Sequence, residues 1–526
     1  MSGRLLAVAL AIVAIGAGAG CSGEPKGASA DAPPSLGKRI HDGPVRAVAA
    51  SADGAWIAWL DGCHDVKSQV LPPGTASCDL RMAASSGGAA RRVAGAVTTL
   101  PHALGWHPSA DLLAAIAEYD YVQGTGRLVV ARGGGDAEPV TDGVAFHGFV
   151  PGEGRVAAVA GGKLVSARPG SPPEWMPGAE GISSFEINPG WETLAPTAVA
   201  SLLRRPAQAG GVLLAVRRDG KVEPVGKGAG DYAFAPGGGA YAFTARAGNG
   251  YELRLGSAGA TRPLGGDVHG FAFSRGGEAI AFVSGARPGT QGDLHVAPVG
   301  KAGAPVLMGR EVGEFRWAAR APRLAWLERY DPRVRAGRVG AGGLDLPPRT
   351  FAGDVSEVEI SPDGAHLAWL QHTTRGGYSV DLAVAPLDGR KDAAPRSIAQ
   401  GVFGFAFSPD ARWLYYRTRC TRNAEACDLE RVPAGGPGPG GKPELVAEGV
   451  KSFEFDPRDP GRLLLGWQRM DLVALDIAVW QDGKRVAVDS GVLPGSARFL
   501  GPDSRRVVYA VAQPKRAGVY VAEVPR

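Results

Sequence analysis

Residues 355–370 read VSEVEISPDGAHLAWL. Val358 and Ile360 alternate with Glu357 and Glu359, the period-two pattern of a β-strand with one buried face. Pro362 ends that strand where no ladder donor is needed, and Asp363-Gly364 supplies the turn into a second apolar strand, His366 to Leu370. A third strand, Val380-Asp381-Leu382-Ala383-Val384, follows and ends at Leu387-Asp388-Gly389. Strands succeed one another with only turns between them, so the stretch specifies sheet and not helix.

The same pattern returns along the chain. Phe405-Ala406-Phe407-Ser408-Pro409-Asp410 leads into Trp413-Leu414-Tyr415-Tyr416 and then Asp428-Leu429. Further copies centre on Phe453-Glu454-Phe455-Asp456-Pro457, Phe271-Ala272-Phe273-Ser274, Phe315-Arg316-Trp317, Phe185-Glu186-Ile187-Asn188-Pro189 and Phe234-Ala235-Pro236, with weaker ones starting near Val45, Leu100, Val144 and Ser496. About eleven copies at intervals of roughly 40 to 50 residues match the period of four-stranded propeller blades. Composition agrees: in 526 residues, 79 Gly and 41 Pro beside 44% hydrophobic residues mean many turns between short buried strands, not disorder.

These residues resemble the WD40-like (PD40) repeat of the TolB β-propeller family, in which FSPDG, LAW or LAF, and DLY-type strands recur. The resemblance runs from about residue 36 to residue 526 and is weakest in the N-terminal third. It implies an all-β propeller of about eleven four-stranded blades. It implies little about function, because such blades serve in periplasmic scaffolds, enzyme gating domains and binding lipoproteins. A common ring holds four to eight blades, so two propellers in tandem are expected, residues 35–311 and 312–526, divided near residues 303 to 312; one large ring is the alternative. The last repeat shows strands at Phe499, Val507-Val508-Tyr509 and Gly518 to Val524 and lacks a fourth. Leu36-Gly37-Lys38-Arg39-Ile40 resembles the fourth strands Pro395-Arg396-Ser397-Ile398 and Glu444-Leu445-Val446, so the N-terminal segment is expected to close that sheet and remove its exposed edge.

The N-terminus reads as an export signal. Arg4 precedes the apolar stretch Leu5 to Ile15, too short for a membrane span, and small residues lead to Cys21. Gly18-Ala19-Gly20-Cys21 resembles a lipobox, which implies a signal peptide over residues 1–20 and a diacylglycerol on Cys21. Gly18 departs from the leucine the motif prefers, and ordinary cleavage after Ala17-Gly18-Ala19 is the alternative. Ser22, where an inner-membrane retention signal has aspartate, implies sorting to the outer membrane, facing the periplasm or the cell surface. Residues 21–34 are Gly, Ala, Ser, Pro and Lys-rich and read as a flexible tether.

Cysteine usage points to the same compartment. Setting Cys21 aside leaves four, in two local pairs, Cys63 with Cys78 and Cys420 with Cys427, suited to two disulfides in an oxidising space. A metal site is the alternative, although only His64 adjoins any of them. Each pair falls between the second and third strands of its repeat, where a disulfide would staple a hairpin.

Little in the sequence carries chemistry. No Gly-x-Ser-x-Gly elbow is present, so a hydrolase under a propeller lid is not expected. His102, His147 and His269 recur near the starts of first strands, and are expected to be packing positions before metal or proton-transfer groups. Glu186, Arg316, Glu359 and Glu454 stand between the two apolar anchors of their strands, suited to charge pairs between blades or, alternatively, to polar channel walls. Gly435 to Gly441 lacks the Lys-Ser/Thr of a phosphate loop, and Asp456, Asp459 and Asp482 lack calcium-loop spacing. With 57 basic against 52 acidic residues, a formal charge of +5 and no Lys/Arg block, nucleic acid is not an expected partner. The expectation is a lipid-anchored scaffold or binding module for an envelope protein or peptide, touching the membrane through its lipid alone, with no catalytic residue, cofactor or metal. A propeller-type enzyme acting as a lyase or on glycans, or a small-ligand receptor using the central channel, is the alternative.

Overall fold

The computed structural model describes residues 36–524 except 68–70, 101–102, 153, 191–198, 206–210, 258–259, 286–290, 301–302, 373–379, 390–393, 422–425, 439–440 and 469–472. Residues 1–20, the tether, Cys21 and His102 lie outside the described residues. Every element among the described residues is a β-strand, forty in all, and the pairings are antiparallel between strands adjacent or nearly adjacent in the chain, apart from that of the first strand with the last. The chain forms two compact units, Met1–Trp175 with Ser452–Arg526, and Met176–Lys451.

The first unit opens with a four-stranded meander, Val45–Ala50, Trp56–Asp65, Ala76–Ala84 and Arg91–Thr98. A seven-stranded sheet follows, from Leu104–Trp106 through the long strand Ala137–Val150 to Glu174–Glu180. The remaining sheet begins with the meander Ser452–Phe455, Arg462–Gln468, Leu475–Gln481 and Lys484–Val492. It ends with Arg498–Leu500, Arg506–Val511 and Gly518–Glu523, and its fourth place is taken by Gly37–Asp42 from the other end of the chain. Gly37 lies opposite Ala522 and Asp42 opposite Gly518, so the N-terminal segment does pair with the last strand.

The second unit holds a seven-stranded sheet from Ser184–Ile187 to Ala260–Gly265, a ten-stranded sheet from Val268–Phe273 to Arg396–Ala399, and a four-stranded meander from Phe405–Phe407 to Glu444–Val450. The division expected near residues 303 to 312, hence the boundary between 35–311 and 312–526, does not coincide with these units. Val306–Trp317 runs through it unbroken, its first half paired to Gly292–Pro298 and its second to Arg323–Asp331.

Long strands of this kind recur. Ala137–Val150, Val222–Phe234, Val306–Trp317 and Arg349–Ile360 each end one meander and begin the next. Between the halves the register slips and one residue takes a left-handed conformation: Gly143, Gly228, Glu311 and Asp354, with Ala96, Asp267, Gly449 and Gly491 at corresponding crossings elsewhere. The bulge turns the chain from the outermost strand of one sheet to the first strand of the next.

Packing explains why the second strands are apolar throughout instead of alternating. Ala58, Leu60, Leu80 and Met82 pack on Leu113, Ala115, Val129 and Ala131 of the following meander. Ile57, Trp59 and Ala83 of the same sheet pack on Val508, Ala510, Val519 and Val521 of the last one. In the second unit Trp369 and Leu367 join Val339 and Ala341, while Ala368 and Leu370 face Leu414 and Tyr416. A sheet buried on both faces needs apolar residues at every position. Trp59, Trp326 and Trp369 are among the largest fully buried side chains, and removing such a ring costs about 3–5 kcal/mol.

The Ser-Pro-Asp-Gly turn is a hydrogen-bonded module. The Ser361 hydroxyl donates to Asp363 Oδ1 at 2.6 Å and accepts from the His366 amide at 2.9 Å, while Asp363 Oδ1 accepts from the Ala365 amide at 3.0 Å. Ser51 and Ser408 repeat these bonds, and at Ser274 the carboxylate comes from Glu278 instead. Burial works against the Asp363 charge, but the Ser361 hydroxyl and the Ala365 amide outweigh it and hold the carboxyl below its ordinary pKa. At two meanders another side chain takes the serine's place and reaches the next meander of the same sheet. His107 accepts from Ser109 N and donates from Nε2 to Val150 O at 2.9 Å, and Asn188 Nδ2 donates to Gly238 O at 2.8 Å.

The bends predict opposite outcomes for two substitutions. Ala96→Gly relieves a left-handed alanine on an exposed crossing and stabilises the chain by up to about 1 kcal/mol. Gly228→Ala, whose new Cβ would lie 2.7 Å from Arg246 Cβ at a φ of +63°, destabilises it by about 2 kcal/mol or more. Urea midpoints that shift in opposite directions are expected.

Candidate functional site

The first strand of each meander bears the polar side chains that the repeat leaves unburied. In the second unit these strands are not neighbours in any backbone ladder, and side chains bridge them instead. Glu186 Oε1 accepts from the Phe234 amide at 3.2 Å, Glu359 accepts from the Phe407 amide, Trp317 Nε1 donates to Ala272 O at 3.2 Å, and Ser184 Oγ meets the Tyr232 hydroxyl at 2.7 Å. Glu186 and Glu359 therefore bond backbone amides of the adjoining first strand, where charge pairs between repeats were expected. Arg316 acts on Glu357 and Glu359 through space, and in the first unit Arg498 does the same for Glu454.

The strands ending at Trp317 and Ile360 bring the most chemistry together. Glu314, Arg316 and Glu357 are exposed, and beneath them Glu359 keeps Oε2 buried with no hydrogen-bond partner among the described residues. Burial pushes the Glu359 carboxyl up to about 7; the Phe407 amide and Arg316 oppose the shift and the Glu357 charge adds to it. Glu357, although exposed, is partly desolvated by the residues around its carboxyl, which raises its pKa against the pull of Arg316 and Arg417. A cleft of about 50 Å³ lies here, lined by Glu314, Phe315, Arg316, Leu327, Ser356, Glu357 and Val358. Ligand pockets for small molecules run to about 300–1,000 Å³. This one admits a single side chain.

Of the histidines singled out from the sequence, His102 lies outside the described residues and the other two belong to different units. His147 stands edge-on to Phe149 at 5.7 Å within Ala137–Val150, and His269 lies on Val268–Phe273 in the other unit. Among the described residues no group of His, Cys, Asp and Glu could hold a metal ion. The cysteine alternative is resolved: Cys63–Cys78 and Cys420–Cys427 are disulfides, each joining the second and third strands of its meander.

Two polar networks escaped the sequence reading. His41 Nε2 on the closing strand lies 3.2 Å from Asp61 Oδ2, Arg81 Nε donates to the same oxygen at 2.8 Å, and the imidazole packs at 5.0 Å on Trp59. Burial lowers the His41 pKa, and the charge of Asp61 only partly offsets it. Asp456, fully buried, accepts from the Ser504 hydroxyl at 2.7 Å, and Arg462 donates to Ser504 O at 2.6 Å. Asp61 ending the apolar run Trp56-Ile57-Ala58-Trp59-Leu60 was the available signal for the first; the arginine opening Arg462-Leu463-Leu464-Leu465 was that for the second.

No protein-family model and no curated protein sequence matches the chain. Solved structures similar to it include one of the eukaryotic initiation factor, at TM-score 0.39 and 13% identity, covering 69% of this chain and 94% of that one. Another is of the tricorn protease, at TM-score 0.24 and 13% identity, covering 91% of this chain and 57% of that one. Likenesses this remote carry no inference about function.

The raised Glu359 gives a pH signature. A carboxyl whose folded pKa lies above its ordinary 4.5 contributes stability that is complete below that value and is lost as pH rises through about 7. Glu359→Gln keeps an acceptor for the Phe407 amide but cannot ionise. Its melting temperature relative to the parent should rise as pH goes from 5 to 8, by calorimetry across that range.

Proposed function

We propose that this chain is a lipid-anchored β-propeller protein of the cell envelope that binds a protein partner and has no catalytic activity of its own. The meanders are read as blades, about eleven of them, and the two contact units favour two rings, one formed by the chain ends and the other by the segment between. The two disulfides accord with an oxidising compartment, and Cys21 with its flanking residues accords with lipidation.

One observation carries the binding reading: the cleft between the first strands of two adjacent meanders holds opposite charges, Arg316 facing Glu314 and Glu357, in a space sized for one side chain. A rigid surface with paired charges and no room for a cofactor suits recognition of an extended polypeptide, whose basic side chain would meet Glu357 and Glu359.

Photo-crosslinking in intact cells from a benzophenone side chain at Ser356 tests the proposal. Recovery of one stoichiometric envelope protein, reduced at least tenfold by Glu357→Gln with Glu359→Gln, is expected for a lost charge-assisted contact worth about 1.5–3 kcal/mol. Recovery unchanged by that pair, or turnover of glycans by the purified chain, sinks it. The anchor has its own readout: metabolic acyl labelling should be lost on Cys21→Ser.

A further inference from the structure

In the second unit the two ends of the sheets differ. The Ser-Pro-Asp-Gly turns share one end, where Arg320 N donates to Pro362 O and Arg323 to Gly364 O across adjacent meanders. The hairpins between second and third strands share the other, where the Tyr330 amide donates to Gln291 Oε1 at 3.0 Å. Arg329 to Ala336 is one of these hairpins, and its backbone repeats that of Glu118 to Thr125, with Arg335 where that hairpin has Gly124. Arg333, Val334 and Arg335 are all exposed, Val334 at 63%, and among the described residues no ion pair holds either arginine.

The backbone sharpens the point. Both Arg329, at φ 53°, and Arg335, at φ 54°, adopt the left-handed conformation that glycine or asparagine adopts at least cost. Arg329 is paired with Glu311 at 2.8 Å, whereas Arg335 keeps a long cationic side chain in a strained position without an ion-pair partner among the described residues. Strain held at an exposed residue points to a role for its side chain.

We propose that the Arg333-Val334-Arg335 tip docks on an anionic phospholipid surface, the guanidinium groups meeting headgroup phosphates while Val334 enters the boundary with the acyl chains. Two unpaired cations flanking one exposed aliphatic side chain match the two layers such a surface offers, negative charge above hydrocarbon. An acidic protein would answer the arginines but leave the valine without a counterpart. The contact adds to any N-terminal lipid and is independent of the cleft and its ligand. It orients the hairpin end of this unit toward the membrane.

Sedimentation of the full chain with phosphatidylglycerol–phosphatidylcholine vesicles, against phosphatidylcholine alone, tests this. Arg333→Gln with Arg335→Gln should weaken partition to the anionic vesicles roughly thirty-fold, each surface arginine contributing a factor of about five. Val334→Ser should weaken it roughly fivefold, and the charge-matched pair Arg275→Gln with Arg320→Gln at the turn end should change it less than about twofold. All these chains share the N-terminal segment, so failure of the anchor reading shifts them alike and leaves the differences intact. Equal binding by the Arg333/Arg335 variant, or an equal loss in the turn-end pair, overturns the proposal. Binding to soluble polyglutamate in which Val334→Ser matches the parent, with no preference for anionic vesicles, assigns the tip to an acidic protein and also overturns it.

Discussion

A four-stranded sheet that is apolar on both faces cannot hide its own surface, and everything else in this chain follows from that. Trp59 is buried against the last meander and Leu60 against the next, although they are sequence neighbours on one strand. That meander is therefore stable only between two others. Stability is then a sum of interfaces between neighbours, as in other repeat architectures, and damage at one interface is felt mainly by the two sheets that make it.

Sheets stacked this way need fixed spacing, which the turns and crossings supply. The serine hydroxyl of the turn module ties the start of the second strand to the end of the first, and the left-handed residue at each crossing sets where the next sheet begins. Where histidine or asparagine replaces the serine, the same position bonds the adjoining meander as well, so register within one meander and contact with its neighbour share one side chain. The polar groups of the first strands are what remains once these demands are met. Glu359 has one oxygen committed to Phe407 and the other buried beside the cleft, which is why its charge is costly.

Strands and turns were legible because alternation and Pro-Asp-Gly chemistry are local. The clearest repeat, Val355 to Leu370, folds as read, with a strand ending at Ile360 and the next beginning at His366. Both disulfides were legible too, since each closes a hairpin between consecutive strands. The crossings were not: Ala96, Glu311 and Asp354 occupy left-handed positions that sequence normally marks with glycine. Nor was the partition of the chain, which depends on which apolar faces meet and not on any linker. At the site, Glu359 was singled out by its place between two apolar residues, but its bond to an amide 48 residues onward, and the cleft beside it, depend on how neighbouring sheets are offset. The pairing of Asp61 with His41 joins a strand from one end of the fold to the sheet beside it, a relation no local pattern encodes.

The union of Gly37–Asp42 with Gly518–Glu523 has a consequence for biogenesis. During synthesis the earliest of these strands emerges long before its mate exists, and no intervening segment offers it the same edge. Most meanders can assemble in order as they appear, but this one must wait until the strand Gly518–Glu523 has been made. Until then the early strand has no mate and is open to wrong pairing. Completion of this sheet is thus gated by a strand about 480 residues downstream of its partner, and a product truncated before it carries an orphan strand that quality-control proteases and chaperones can recognise.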